Sequence, residues 1–162
     1  MQNIGLNNSA VDDEQYVVFS LNDELFAVNV KFTREVSVMP SINVIPDSLP
    51  YMKGVFDLRG IIVPVLDLRV KFGMVEKIYD DSTTIIIVEI FNKLIGLIVD
   101  AVVDVMNISK NDIQNTPHFS NNTNRDSVIG IGRVNGRIIV IVDAEKIISK
   151  AELDGYLDES GE

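Results

Sequence analysis

Apolar residues in this chain come in short runs, paired about polar breaks. The first pair is YVVFSLNDELFAVNV, from Tyr16, with β-branched and aromatic residues on both sides of Asn22-Asp23. That pattern predicts a β-hairpin, because such side chains suit a pleated surface and Asn and Asp suit a turn. The second pair, GVFDLRGIIVPVLDLR over residues 54–69, turns at Arg59-Gly60. The third, TTIIIVEIFNKLIGLIVD, has its break placed near Asn92-Lys93, and the fourth, GIGRVNGRIIVIVD, carries Asn135-Gly136 at its tip. Asn-Gly between apolar runs is the strongest short hairpin signal, since both residues accept the positive φ of a primed turn. Helical periodicity is scarce. The segment DAEKIISKAELDGYL sets Ile147, Ile148, Ala151 and Leu153 near one face and predicts a short C-terminal helix. VKFTREV has room for one helical turn. Residues 1–14 and 158–162, polar and acidic, are read as disordered ends.

The pattern repeats. Shifted by 69, residues 17–36 fall on 86–105, and Leu25 meets Leu94, Val28 meets Leu97 and Val36 meets Val105. Shifted by 76, residues 54–67 fall on 130–143, where Gly54 meets Gly130, Gly60 meets Gly136 and Asp67 meets Asp143. Apolar coincidences between strands are common; two glycines and an aspartate at matched spacing are not. The polar stretch within residues 109–127 accounts for the difference in shift. A tandem duplication follows, of two all-β units with about five strands each. Units of this size have little core of their own, so they must share an apolar seam, and closing each sheet into a barrel would remove its exposed edges. The linear division falls into residues 15–81 and 82–150, with 151–162 as helix end and acidic tail.

Composition narrows the chemistry. At 46% hydrophobic the 162-residue chain can bury a real core. Its formal net charge of −10 argues against nucleic acid and against direct attachment to anionic lipid. There is no cysteine, hence no disulfide and no thiolate metal site. No signal segment or membrane-length apolar run appears, and a soluble cytoplasmic protein is the expectation. The single histidine, His118, lies in a polar loop near Asp112 and Ser120. An enzyme would have to be built from it and from acids such as Asp57, Asp67, Asp100, Asp104 and Asp143, which are better read as turn and strand-end residues. No catalytic, metal or cofactor signature is visible. A binding module working through its surfaces is the better reading.

The segment YMKGVFDLRGIIVPVLDLRVKFG resembles the signature of the CheW-like domains, adaptors of bacterial chemotaxis. The resemblance is carried by Lys53-Gly54-Val55, Leu58-Arg59-Gly60, Ile62-Val63-Pro64-Val65 and Asp67-Leu68-Arg69; it departs at Asp57, where asparagine is usual. The likeness covers residues 15–150. It implies two intertwined five-stranded barrels of SH3-like type that exchange strands. It also implies a non-enzymatic scaffold without cofactor or metal. The scaffold joins the cytoplasmic hairpin tip of methyl-accepting chemoreceptors to the regulatory domain of the histidine kinase CheA, at the inner face of the membrane. Chain length favours the stand-alone adaptor. Service in another chemosensory pathway, such as surface motility, is the alternative.

By the same resemblance, Thr33, Glu35, Arg59, Gly96, Val102 and Val105 correspond to receptor-contacting positions, and both sets fall beside the seam. Val36, Val38 and Ile42 mark the kinase-facing surface. Gly96 has a second reading as a close-packing residue, and Val102 and Val105 as half-core. Arg59 poses the sharper question. The repeat aligns Arg59-Gly60 with Asn135-Gly136, and a primed turn there demands a positive φ that arginine adopts reluctantly. Either the first turn has another geometry, or the guanidinium is kept for a partner.

Overall fold

The computed structural model describes residues 13–115 and 127–160. Among the described residues there are eleven strands, β1 (Asp13–Leu21), β2 (Glu24–Asn29), β3 (Thr33–Val38), β4 (Met52–Leu58), β5 (Ile61–Asp67), β6 (Thr84–Ile90), β7 (Lys93–Val99), β8 (Ala101–Ser109), β9 (Ile113–Asn115), β10 (Val128–Val134) and β11 (Arg137–Val142). A helical turn, Leu68–Lys71, follows β5, and a helix, Lys150–Ser160, is the last described element. The first strand begins at Asp13, and Glu14 accepts a hydrogen bond from Asn29 Nδ2 at 2.6 Å. Asp13 and Glu14, expected within the disordered tail, are thus ordered in a strand; the rest of that expectation lies outside the described residues.

All four hairpins form, each with a two-residue loop between paired ends: Leu21 with Glu24, Leu58 with Ile61, Ile90 with Lys93, and Val134 with Arg137. Both residues of every loop have positive φ: Asn22-Asp23, Arg59-Gly60, Phe91-Asn92 and Asn135-Gly136. These are primed turns, whose twist matches that of the strands they join. One turn sits a residue earlier than its sequence suggested, on Phe91-Asn92. A phenylalanine at φ +52° is strained, but its ring packs on the central core, and burial offsets the strain.

The strands form two sheets, of order β8-β1-β2-β11-β10-β9 and β3-β6-β7-β5-β4. Two sheets are present where two five-stranded barrels were expected. One sheet has six strands, and among the described residues no pairing joins β8 to β9 or β3 to β4 to close a ring. The sheets also ignore the linear division at residue 81. The β1-β2 hairpin lies in the sheet built by β8 to β11, and the β6-β7 hairpin lies with β3, β4 and β5. Each hairpin is carried across by a parallel pairing, β2 on β11 and β7 on β5. The two sheets are thus the two repeats with their first hairpins exchanged.

Both faces of the exchanged hairpins are buried, which is why their strands read as nearly continuous apolar runs. On β1, Val17, Phe19 and Leu21 belong to the central cluster, while Tyr16 and Val18 belong to a cluster within the first sheet. On β6, Ile86, Val88 and Ile90 join the central cluster, while Ile85 and Ile87 fill the second sheet. The period of two assigns alternate residues to the seam and to the sheet's own core. The predicted C-terminal helix is interrupted. Ile147 and Ile148 are buried beyond a helical turn, Ala144–Lys146, and the helix proper starts after Ser149. Ser149 Oγ accepts from Glu152 N at 3.0 Å, and Glu152 Oε1 accepts from Ser149 N at 3.4 Å. This capping box restarts the helix and turns Ala151 outward, although Leu153 stays fully buried.

Candidate functional site

The turn at Arg59-Gly60 answers half of the question the sequence raised. Arg59 has φ +50° and Gly60 +90°; Asn135 has +53° and Gly136 +78°. The geometry is the same in both repeats, so no special backbone accounts for arginine. Asp57 Oδ1 accepts from Gly60 N at 2.7 Å. An asparagine side chain would accept equally well, so the carboxylate serves the turn. The Arg59 guanidinium is 72% exposed and makes an ion pair with Glu35 of β3.

This ion pair reports on shape. β3 and β4 are opposite margins of the five-stranded sheet, yet Arg59, at the end of β4, touches Glu35. The sheet must curl far enough for these two long side chains to reach each other across its margins. The second repeat makes the same turn without such a pair. The shift of 69 puts Asp104 in the place of Glu35, and Asp104 Oδ1 accepts from the neighbouring Val105 N at 2.8 Å. The Arg59–Glu35 pair is therefore not a requirement of the fold.

Thr33, Glu35 and Arg59 gather at this margin, with Thr33 and Glu35 half-buried on one side of β3. Val36 and Val38 project from the other side, 43% and 76% exposed. Ile61 and Ile62, which follow the Arg59-Gly60 turn, are exposed as well. Val102 is half-buried against the central cluster, where Phe32, the residue before Thr33, also packs. Val105 is exposed on β8. The remaining two positions face inward. Ile42 packs against the core of the second sheet, and Asn43 bridges to Val55. Gly96 is buried, and a Cβ there would lie 2.5 Å from Ile85 Cδ1. Its structural place is that of a close-packing glycine. We predict that Gly96→Ala costs about 1–3 kcal/mol, read as a lower denaturant midpoint.

The acids an enzyme would need are engaged in architecture. Asp67 Oδ1 caps the helical turn through Arg69 N at 2.9 Å and Asp143 Oδ1 does the same through Glu145 N at 3.0 Å. Asp67 Oδ2 accepts from the Tyr79 hydroxyl at 2.7 Å. Asp100 holds Arg69 in a two-point pair, 2.7 and 2.8 Å. His118 lies outside the described residues, and among those described no three acids or histidines are grouped to hold a metal. Sequence reasoning missed the Arg69–Asp100 pair.

The comparisons with known proteins converge. A family model described as CheW-like domain matches residues 15–152. The chain is 30% identical over 140 residues to the chemotaxis protein CheW of Klebsiella aerogenes, covering 86% of this chain and 84% of that one. It is 32% identical to the probable chemotaxis protein CheW of Rhizobium etli, covering 86% and 90%. Among solved structures, the scaffolding protein TtCheW from Thermoanaerobacter tengcongensis aligns with a TM-score of 0.77 at 36% identity, over 83% of this chain and 91% of that one.

Proposed function

Because this chain belongs to the CheW-like domain family, we propose that it is an adaptor of chemotaxis, joining methyl-accepting chemoreceptors to the regulatory domain of the kinase CheA without catalysing a reaction. The adaptor works at the inner face of the membrane, carried there by its partners; no described helix is long and apolar enough to cross one. Each sheet is a strand-exchanged, SH3-like barrel. The contact between Glu35 and Arg59 across opposite margins supports this for the second sheet. For the first, the support is the 3.7 Å gap between a Cβ at Gly132 of β10 and Ile108 Cγ2 of β8.

One observation carries the assignment of the receptor face. Arg59 sits in a strained turn that the second repeat builds from asparagine, and its guanidinium is displayed at an open margin. Strain kept where it is not needed marks a group used for something else. Thr33, Glu35, Arg59 and Val105 then meet the receptor hairpin, and Val36 and Val38 meet the kinase.

The test is Arg59→Asn. It removes the charge and relieves the turn, so the melting temperature rises by about 2 °C. Binding of a receptor hairpin-tip fragment, measured by titration calorimetry, is lost or strongly weakened. Unchanged binding would return Arg59 to the status of a turn residue. Failure of the unaltered protein to bind both a CheA regulatory domain and a receptor fragment would end the adaptor reading itself.

A further inference from the structure

The C-terminal segment crosses the molecule. It leaves the first sheet at Asp143, after β11, and its helix Lys150–Ser160 reaches the second sheet. There Glu152 accepts a hydrogen bond from the Tyr51 hydroxyl, just before β4, and Asp154 pairs with Lys93, the first residue of β7. Lys71 Nζ lies 4.2 Å from the Tyr51 ring centroid and adds a positive charge beside Glu152.

The apolar part of this contact is thin. Over residues 150–155, Leu153 is the one buried side chain, and Ala151 and Gly155 are exposed. On one flank the helix does not fill its space. A cavity of about 270 Å³ separates Ala151, Glu152 and Gly155 from Ile45, Pro46 and Ser48. An eleven-residue helix containing a glycine does not hold itself together in water. Its order must come from docking, and among the described side chains that docking rests on one leucine and a set of charged contacts. Both Lys93 and Asp154 are about one-third exposed, so salt reaches this pair and screens it.

We propose that the C-terminal helix is an electrostatically latched strap across the two sheets, which opens locally while both sheets stay folded. Leu153 plugs one end of the central cluster, the cluster to which Met52, Ile147 and Ile148 also belong. Opening therefore uncovers the end of the seam and frees the second sheet from the segment that ties it to the first.

Hydrogen exchange on the full chain, followed by mass spectrometry, tests this. At low salt the backbone amides of residues 153–160 exchange at least about tenfold faster than those of β6 and β7, because they open in a separate, smaller step. At 1 M NaCl their exchange speeds by about threefold or more as the latch is screened, while the strands do not change. Asp154→Lys alone accelerates exchange of the helix, and the swap Lys93→Asp with Asp154→Lys restores it. Helix amides that exchange at the strand rate would overturn the proposal, since the helix would then unfold only with the whole. Fast exchange that ignores salt, or a swap no slower than the single variant, would overturn the latch.

Discussion

Gly54→Ala should lower the unfolding free energy by about 4 kcal/mol, combining overpacking with backbone strain. Gly54 lies in β4 beside the chain at Ile42-Asn43. A Cβ on it would stand 2.1 Å from the Asn43 carbonyl oxygen and 2.9 Å from Ile42 Cγ2. The first obstacle is backbone and cannot rotate away. The residue also has φ +142°, where side chains are rarely tolerated. The bridge it would break is reciprocal: Asn43 N donates to Val55 O at 2.8 Å, and Val55 N to Asn43 O at 2.9 Å. Gly130→Ala supplies the control. A Cβ there would meet the Gln114 carbonyl oxygen at 2.3 Å and Ile113 Cγ2 at 3.1 Å, the same obstacle in the other repeat. With no strained φ to add, its cost is about 3 kcal/mol. Urea unfolding of both variants measures this. Two near-neutral results would mean that the segments 42–43 and 113–115 pull away freely.

These two glycines show why the duplication was legible in the sequence. The residues that matched under the shift of 76 are those with a backbone task. Gly54 and Gly130 admit a neighbouring chain, Gly60 and Gly136 close a turn, and Asp67 and Asp143 cap a helical turn. Even the bonds repeat: Asp67 N donates to Tyr51 O and Asp143 N to Ser127 O, at 2.8 and 2.7 Å. Such tasks admit few residue types, so they persist in print. The hairpins were legible for the same reason.

The exchange of hairpins left no local mark. Whether β2 lies beside β11 or beside a strand of its own repeat depends on which apolar face it meets, and both choices bury the same residues. The repeat by itself suggested a linear cut at 81, and the exchange of strands came only from the family resemblance. The broken local rule at Arg59 was legible, and the turn has the positive φ that breaks it. The close-packing reading of Gly96 was available as well; the inward packing of Ile42 was not, since a strand pattern does not say which face of a curled sheet becomes the inside. Arg69 and Asp100 were invisible as a pair for a different reason. They are 31 residues apart in the chain, and only the fold brings them together.

That pair carries the second large effect. Asp100→Ala should cost about 3 kcal/mol, the lower end for breaking a buried ion pair. The two side chains are only 13% and 14% exposed. Arg69 Nε and Nη2 both bond Asp100, its Nη1 donates to Val75 O at 2.8 Å, and Asn22 N donates to Asp100 Oδ2 at 2.8 Å. Asp100 stands where β7 passes into β8, from the second sheet to the first, and Asn22 is in the turn of the exchanged β1-β2 hairpin. Removing the carboxylate strands a guanidinium and frees that crossing. Arg69→Met strands the carboxylate and should cost a similar amount. The double variant Arg69→Met with Asp100→Leu should recover most of the loss, because the penalty lies in the orphaned charge rather than in the absent bond. Acid provides an independent reading. Burial pushes the Asp100 carboxyl up, but the hydrogen bonds from Arg69 and Asn22 and the charges of Arg69 and Lys77 outweigh it and hold it below its ordinary value. A carboxyl depressed in the folded state stabilises above its unfolded value, near 4, and loses that contribution as pH falls through the lower, folded one. Stability of the native chain should therefore fall more steeply below about pH 4 than that of Asp100→Asn, which has nothing to protonate there. Parallel acid limbs in the two proteins would show that the Asp100 carboxylate gives no net stability to the crossing.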